Sequence, residues 1–358
     1  MARIQFNGVA HSYTSGARSD ADWALKRLDH VWQDGGAYAL LGPSGCGKTT
    51  LLNSISGLIQ VTEGQVLFDD RDVTPLPTQQ RNIAQVFQFP VVYDTMTVHD
   101  NLAFPLRNRG VEPTAIHSRV EEVAEMLELT AHLQRRARNL SADAKQKISL
   151  GRGLVRKDVA AILFDEPLTV IDPNLKWKLR RKLKEIHERY QLTLIYVTHD
   201  QNEALTFAEQ VIVMNKGRVL QVGTPQELFD TPTHTFVGYF IGSPGMNLLP
   251  CELDNGAAVV EGERIRINDG LPGKVPSGKL ELGIRPEFLE LMASPTDEAV
   301  RVSIRAVEDL GSYKIVSVML GRLVVKIKIR EQAIPSDEAY VAFPATRTKL
   351  YADGQLVA

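Results

Sequence analysis

The chain has 358 residues, too many for one ordinary core and suited to two or three domains at roughly 150 residues each. Its 41 Lys+Arg and 43 Asp+Glu leave a net charge of −2, which excludes the electrostatic footprint of a general nucleic-acid binder or acidic-membrane binder. Two cysteines make no disulfide framework and suit a reducing cytosol. The start MARIQFNGVA has no signal-type apolar core, and no window reaches the ~18 continuous apolar residues of a membrane span, so any membrane role must come through a partner.

Along the chain, the apolar run Tyr38-Ala-Leu-Leu41 predicts a short strand. It enters a turn made of Gly42, Pro43, Ser44, Gly45, Cys46, Gly47, Lys48 and Thr49, and Thr50-Leu-Leu-Asn-Ser-Ile continues as a helix. The spacing G-x-x-x-x-G-K-[ST] between strand and helix is that of a P-loop. Its glycines let main-chain N–H groups converge on phosphate oxygens at the positive end of a helix. Lys48 is then placed for the β/γ-phosphates, and the Thr49 hydroxyl for Mg²⁺. Between Ser118 and Leu129, Val120, Val123, Ala124 and Leu127 recur at helical spacing.

The runs Ala160-Ala-Ile-Leu-Phe164 and Thr193-Leu-Ile-Tyr-Val197 predict strands buried on both faces. Asp165 and Glu166 follow the first run, suited to hold Mg²⁺ through water and to polarise an attacking water; His199 follows the second, within reach of the same rim. Such strands alternating with helices predict an α/β domain with a parallel sheet, covered on both sides, and a ligand at the carboxyl ends of its strands. A hairpin, Val211–Met214 with Val219–Val222, leads to a helix at Pro225, and this first domain is expected to span 1–235.

From about Ser243 short alternating runs broken by Gly and Pro, such as Arg301–Val307 and Leu323–Ile329, predict a small all-β, OB-like domain over 236–358. Lys326, Lys328 and Arg330 are expected on the solvated face of a strand.

Taken together, GPSGCGKTT, ILFDEP, the run Val86-Phe-Gln88-Phe-Pro with Met96-Thr-Val98 and Asp100-Asn-Leu, and GIRPE at Gly283–Glu287 carry a resemblance over nearly the whole chain. The chain resembles the ATPase subunit of an ABC transporter, of the carbohydrate importer type that includes maltose and glycerol-phosphate importer ATPases. The resemblance implies ATP with Mg²⁺, a helical subdomain at about 90–155, and Gln88 as metal and water sensor. It implies Tyr13 as the ring that stacks on adenine, where a flat ring offers its π-face. It implies two permease subunits docked in a groove near Gln88 to Asn101, an indirect solute-binding protein outside, no nucleic acid, and a peripheral position on the cytoplasmic face of the cell membrane.

Two stretches depart from the family pattern. The signature L-S-G-G-Q, which the family donates in trans to the partner's ATP, reads Leu140-Ser-Ala-Asp-Ala144. Ser141 is kept, both glycines are lost, and Asp143 is expected to bring negative charge toward phosphate unless it turns away or pairs with Lys145 or Lys147. The following D-loop reads Leu168-Thr-Val-Ile-Asp172, where Val170 removes a polar contact expected across the dimer. An intact first set beside an altered second predicts a heterodimer with a second ATPase whose signature is intact. The principal reading is a hydrolytic import motor for a sugar or polyol, with glycerol or glycerol phosphate as the narrower guess; the alternative is a nucleotide-binding regulatory subunit with little hydrolysis.

Overall fold

The chain begins with two strands whose alternation suits a sheet buried on one side. In β1 (Ile4–His11) Ile4, Phe6 and Val9 are buried, and β2 (Leu25–Trp32) pairs with it antiparallel, setting the Trp32 ring edge-on against Phe6 at 5.2 Å. With β4 (Glu63–Phe68) and β5 (Arg71–Asp72) they form an antiparallel sheet of order β2-β1-β4-β5, which sequence patterning did not anticipate. The computed structural model describes residues 1–169, 171–267, 278–296, 299–330 and 339–357. The chain divides into two units, Met1–Pro225 and Gln226–Ala358.

The main sheet of the first unit is built from the apolar runs. Every residue of β3 (Ala37–Leu41) is buried, as the lack of polar alternation requires. Helix α1 (Lys48–Ser56) follows it. Then come β6 (Ile83–Val86), α2 (Val98–Arg107), α3 (Pro113–Met126), α4 (Ala142–Leu154), β7 (Ala161–Asp165), α5 (Pro173–Tyr190), β8 (Leu194–Thr198), α6 (Gln201–Phe207), β9 (Gln210–Asn215) and β10 (Arg218–Gly223). The order is β10-β9-β3-β8-β7-β6, parallel except for the β9–β10 hairpin. Parallel register brings Leu41, Asp165, Thr198 and Val86 to one edge of the sheet, so the segments leaving β3, β7, β8 and β6 converge there. Helix α3 begins five residues before the periodic stretch because Pro113 fits its first turn, and Val120, Val123, Ala124 and Leu127 are buried as the spacing predicts.

In the second unit α7 (Pro225–Asp230) runs in from the first, followed by α8 (Thr235–Phe240). Among the described residues, three antiparallel sheets of four, three and five strands then surround one apolar core that includes Leu249, Val260, Leu282, Val316, Ile327 and Leu350. In Leu323–Ile329, Val325, Ile327 and Ile329 are buried, while Lys326 and the following Arg330 are exposed as expected. Lys328 departs from that reading: it is half-buried, pairs with Glu287 at 3.0 Å and lies 4.4 Å from the Tyr313 ring centre. Arg285 of the GIRPE run is buried, stacked 4.0 Å over Phe229, and donates to the carbonyls of Leu228, Phe229, Gly238 and Ile241. It therefore satisfies main-chain acceptors near the ends of α7 and α8 that would otherwise be orphaned.

Candidate functional site

Each functional side chain is held by the turn that leaves its strand. After β3, Gly45 and Gly47 take φ of +76° and +104°, and a Cβ on Gly47 would lie 2.5 Å from the Ala24 carbonyl oxygen, so only glycine fits there. The Lys48 ammonium donates to the carbonyls of Gly42 at 2.8 Å and Pro43 at 2.9 Å, which holds it at the mouth of the loop. Cys46 is buried and burial pushes its thiol up, so it fills space as a neutral side chain. The first main-chain N–H groups of α1 have no intrahelical acceptors, and together with the loop they form an anion cradle.

The Thr49 hydroxyl donates to Asp165 Oδ1 at 3.2 Å, joining the two oxygen donors read from sequence as Mg²⁺ ligands. Burial raises the Asp165 carboxyl, Glu166 beside it adds to that, and Thr49 and Lys48 act the other way. A hard cation suits this hydroxyl–carboxylate pair, with phosphate oxygens completing its shell. Among the described residues no group of three or more His, Cys, Asp and Glu side chains could hold a metal without such help.

Glu166 adopts φ +47°, uncommon for a non-glycine residue, and its N–H donates to the Val197 carbonyl at 3.0 Å. That turn places Glu166 Oε2 3.1 Å from His199 Nδ1 and 3.4 Å from the Thr169 hydroxyl. Lys48, Thr49, Asp165, Glu166 and His199 thus gather on one rim. Gln88 lies half-buried two residues beyond the end of β6 on that same edge.

Tyr13 is 66% exposed, its hydroxyl 3.2 Å from that of Thr50, and its ring stands edge-on to buried His11 at 4.6 Å. His11 escaped sequence reasoning, although it lies two residues before Tyr13 in the same segment. So did Glu203, a 4% exposed carboxylate that accepts from the hydroxyls of Tyr196 at 3.1 Å and Thr198 at 2.8 Å; its position four residues after His199 was the available signal.

The altered signature sits elsewhere, at the start of α4. Ser141 is exposed and its hydroxyl oxygen accepts from the N–H of Ala144 at 3.3 Å, capping the helix. Asp143 turns inward: its Oδ1 is buried without a hydrogen-bond partner, while Lys145 pairs with Asp94 at 2.7 Å and Lys147 with Glu128 at 3.2 Å. Burial raises the Asp143 carboxyl, Lys147 opposes that, and Glu128 and Asp172 add to it. Val170 lies outside the described residues. Asn101, expected along the docking groove, is fully buried and braces the loop before α2 through Tyr93 N–H, Tyr93 O and Thr97 O.

Residues 25–169 match the ABC transporter family model, and residues 242–289 match that of the MalK OB fold domain. The chain is 39% identical to the sn-glycerol-3-phosphate import ATP-binding protein UgpC of Escherichia coli O157:H7, with 99% of each chain covered. It is 36% identical to the protein of that name from Chromobacterium violaceum, over 98% of this chain and 94% of the relative. Among solved structures, the dimeric ATP-binding cassette MJ0796, in a post-hydrolysis state bound to ADP and Pi, superposes with TM-score 0.55 at 27% identity. That alignment covers 62% of this chain and 98% of the other. CbiO1 of Clostridium perfringens, part of the ABC transporter complex cbiONQ, superposes with TM-score 0.57 at 25% identity over 64% and 90%. A P-loop, an Asp-Glu strand end and a histidine on one sheet edge, followed by the OB-type unit, agree with those matches: the chain belongs to the ABC transporter ATP-binding proteins, an ATPase of the importer type.

Proposed function

We propose that this chain drives the import of a small polar solute of the glycerol-phosphate, polyol or sugar class by hydrolysing Mg·ATP at the rim formed by Lys48, Thr49, Asp165, Glu166 and His199. The carrying observation is the pairing of Glu166 Oε2 with His199 Nδ1 at 3.1 Å, beside the Thr49–Asp165 pair. In this reading Tyr13 stacks on adenine and the loop Gly42–Thr49 with Thr50 binds the phosphates. Thr49 and Asp165, with Gln88 as the expected sensor, would hold Mg²⁺, which would supply charge neutralisation of the phosphates. Glu166 takes a proton from the attacking water, and His199, protonated at Nδ1, donates to the same carboxylate and fixes its direction. Glycerol phosphate is supported by the names of the relatives, and polyol or sugar by the resemblance to carbohydrate importer ATPases.

Among the described residues no helix is long and apolar enough to cross a membrane, so transport needs permease partners. A 240 Å³ cleft lined by Ile83, Gln85, Phe87, Val91, Pro105 and Arg152 adjoins Gln88, and Phe89, Val91 and Tyr93 around it are exposed. The exposed apolar side chains of Phe87, Phe89, Val91 and Tyr93 support docking of the permeases there, with the chain held at the cytoplasmic face through them.

The finer reading pairs this chain with a second ATPase whose signature is intact, and the changes at Ala142, Asp143 and Ala144 are its support. Equal turnover per subunit for this chain alone and with its candidate ATPase partner contradicts that pairing.

The hydrolytic role is tested with Glu166→Gln in the assembled transporter. ATP turnover is expected to fall at least a hundredfold while nucleotide binding persists. Turnover near wild type supports the alternative, a regulatory subunit with little hydrolysis.

A further inference from the structure

Glu203, in α6, is a buried carboxylate outside the rim, and side chains of β8 and α5 meet it. Its Oε2 accepts from Tyr196 and Thr198 at 3.1 and 2.8 Å, and its Oε1 lies 3.6 Å from the Lys176 ammonium in the first turn of α5. Its own N–H donates to Asp200 Oδ1 at 3.4 Å in the cap of α6. Thr198 accepts in turn from the N–H of Asp200 at 3.0 Å, so one hydroxyl braces the residues on both sides of His199. Lys176 N–H donates to the Asp172 carbonyl at 2.9 Å, which ties the same turn to Asp172.

Packing alone does not call for a carboxylate in this place. Burying one costs several kcal/mol unless it is paired and fully hydrogen-bonded, and an amide would serve the two hydroxyls equally well. What the charge adds is the Lys176 ammonium, and with it a connection between α5 and β8. Burial, with the neighbouring carboxylate, holds the Tyr196 phenol far up, so it remains a donor.

We infer that Glu203 is a positioning residue for hydrolysis, a strut that couples Asp172, through the first turn of α5 and Lys176, to the backbone carrying His199. This rests on the reading that His199 and Glu166 act together in hydrolysis. A shift of the first turn of α5 moves Lys176, then Glu203, then Thr198, and so the imidazole against Glu166.

The test is steady-state ATP hydrolysis by the full chain assembled with its permeases, for Glu203→Gln, Lys176→Met and the double variant. Each single change is expected to lower kcat about tenfold with KM for ATP within about twofold, and the double to fall no further than the weaker single. Unchanged kcat with a lowered melting temperature makes Glu203 a packing residue and overturns the inference, as do losses that multiply. Should Glu203→Gln not fold, Lys176→Met at a partly exposed side chain decides: wild-type kcat there overturns the strut. Glu166→Gln in the same preparation tests the parent reading separately, since wild-type turnover in that variant refutes it whatever Glu203 does.

Discussion

Thr49 and Asp165 are 116 positions apart in sequence, yet their side-chain oxygens lie 3.2 Å apart because β3 and β7 end on the same edge of one parallel sheet. Thr49 and Asp165 were each singled out by sequence, since a P-loop needs its glycines in order and the Asp165–Glu166 pair follows an apolar run. The supports were not legible. Lys176 and Glu203 become neighbours only through the approach of α5 to α6, and the edge-on contact of His11 with Tyr13, two residues on, follows no motif spacing. Tyr13 offers a direct check of the nucleotide site. Tyr13→Ala is expected to raise KM for ATP about tenfold, as loss of one base–aromatic stack predicts, with kcat retained, while Tyr13→Trp keeps the affinity. Titration with ATP in a turnover assay reads both, and an unchanged KM in Tyr13→Ala assigns adenine to another surface.

At the scale of elements, the start of α4 decides between the two placements that sequence left open for Asp143. Repulsion of phosphate requires an outward carboxylate, whereas Asp143 turns inward and its buried Oδ1 has no hydrogen-bond partner. An orphaned buried acceptor costs about 1–3 kcal/mol, more than the 0.3–1 kcal/mol that an acidic residue gains at a helix N-terminus. Asp143→Asn is therefore expected to stabilise the protein at pH 7 by about 1 kcal/mol, a rise of about 2–4 °C in melting temperature. The sign follows from the raised carboxyl. The folded wild type binds this proton more tightly than the unfolded chain, so its stability falls as pH rises from the ordinary carboxylate range through the raised value. The advantage of Asp143→Asn should grow over that window and then level off; a melting series showing the opposite slope contradicts the inward placement.

In the second unit, strand alternation was legible but the purpose of GIRPE was not, because Arg285 acts on carbonyls more than forty residues away. Burial of that guanidinium lowers its pKa to about 10, so it remains charged at neutral pH. Arg285→Met leaves several acceptors unpaired and is expected to cost about 3 kcal/mol. The loss should appear as an earlier unfolding transition of the unit Gln226–Ala358, while P-loop nucleotide binding is kept. A single unshifted transition sinks that account of Arg285.

For the whole molecule, the charges nearly cancel, and among the described residues no helix is long and apolar enough to cross a membrane. The α/β class was readable from three nearly unbroken apolar runs, whereas the antiparallel sheet β2-β1-β4-β5 was not, since its half-exposed strands carry Gly, Asp and Gln among the apolar positions. The assembled machine should convert ATP binding and hydrolysis at the rim into solute movement through the permeases. Uptake of labelled glycerol phosphate, glycerol, a small polyol and maltose into proteoliposomes holding the whole transporter, with ATP and Mg²⁺ supplied on the side of this subunit, measures that conversion directly. Accumulation of one of these solutes that stops in Glu166→Gln is the predicted result; accumulation that continues at the wild-type rate in Glu166→Gln contradicts it.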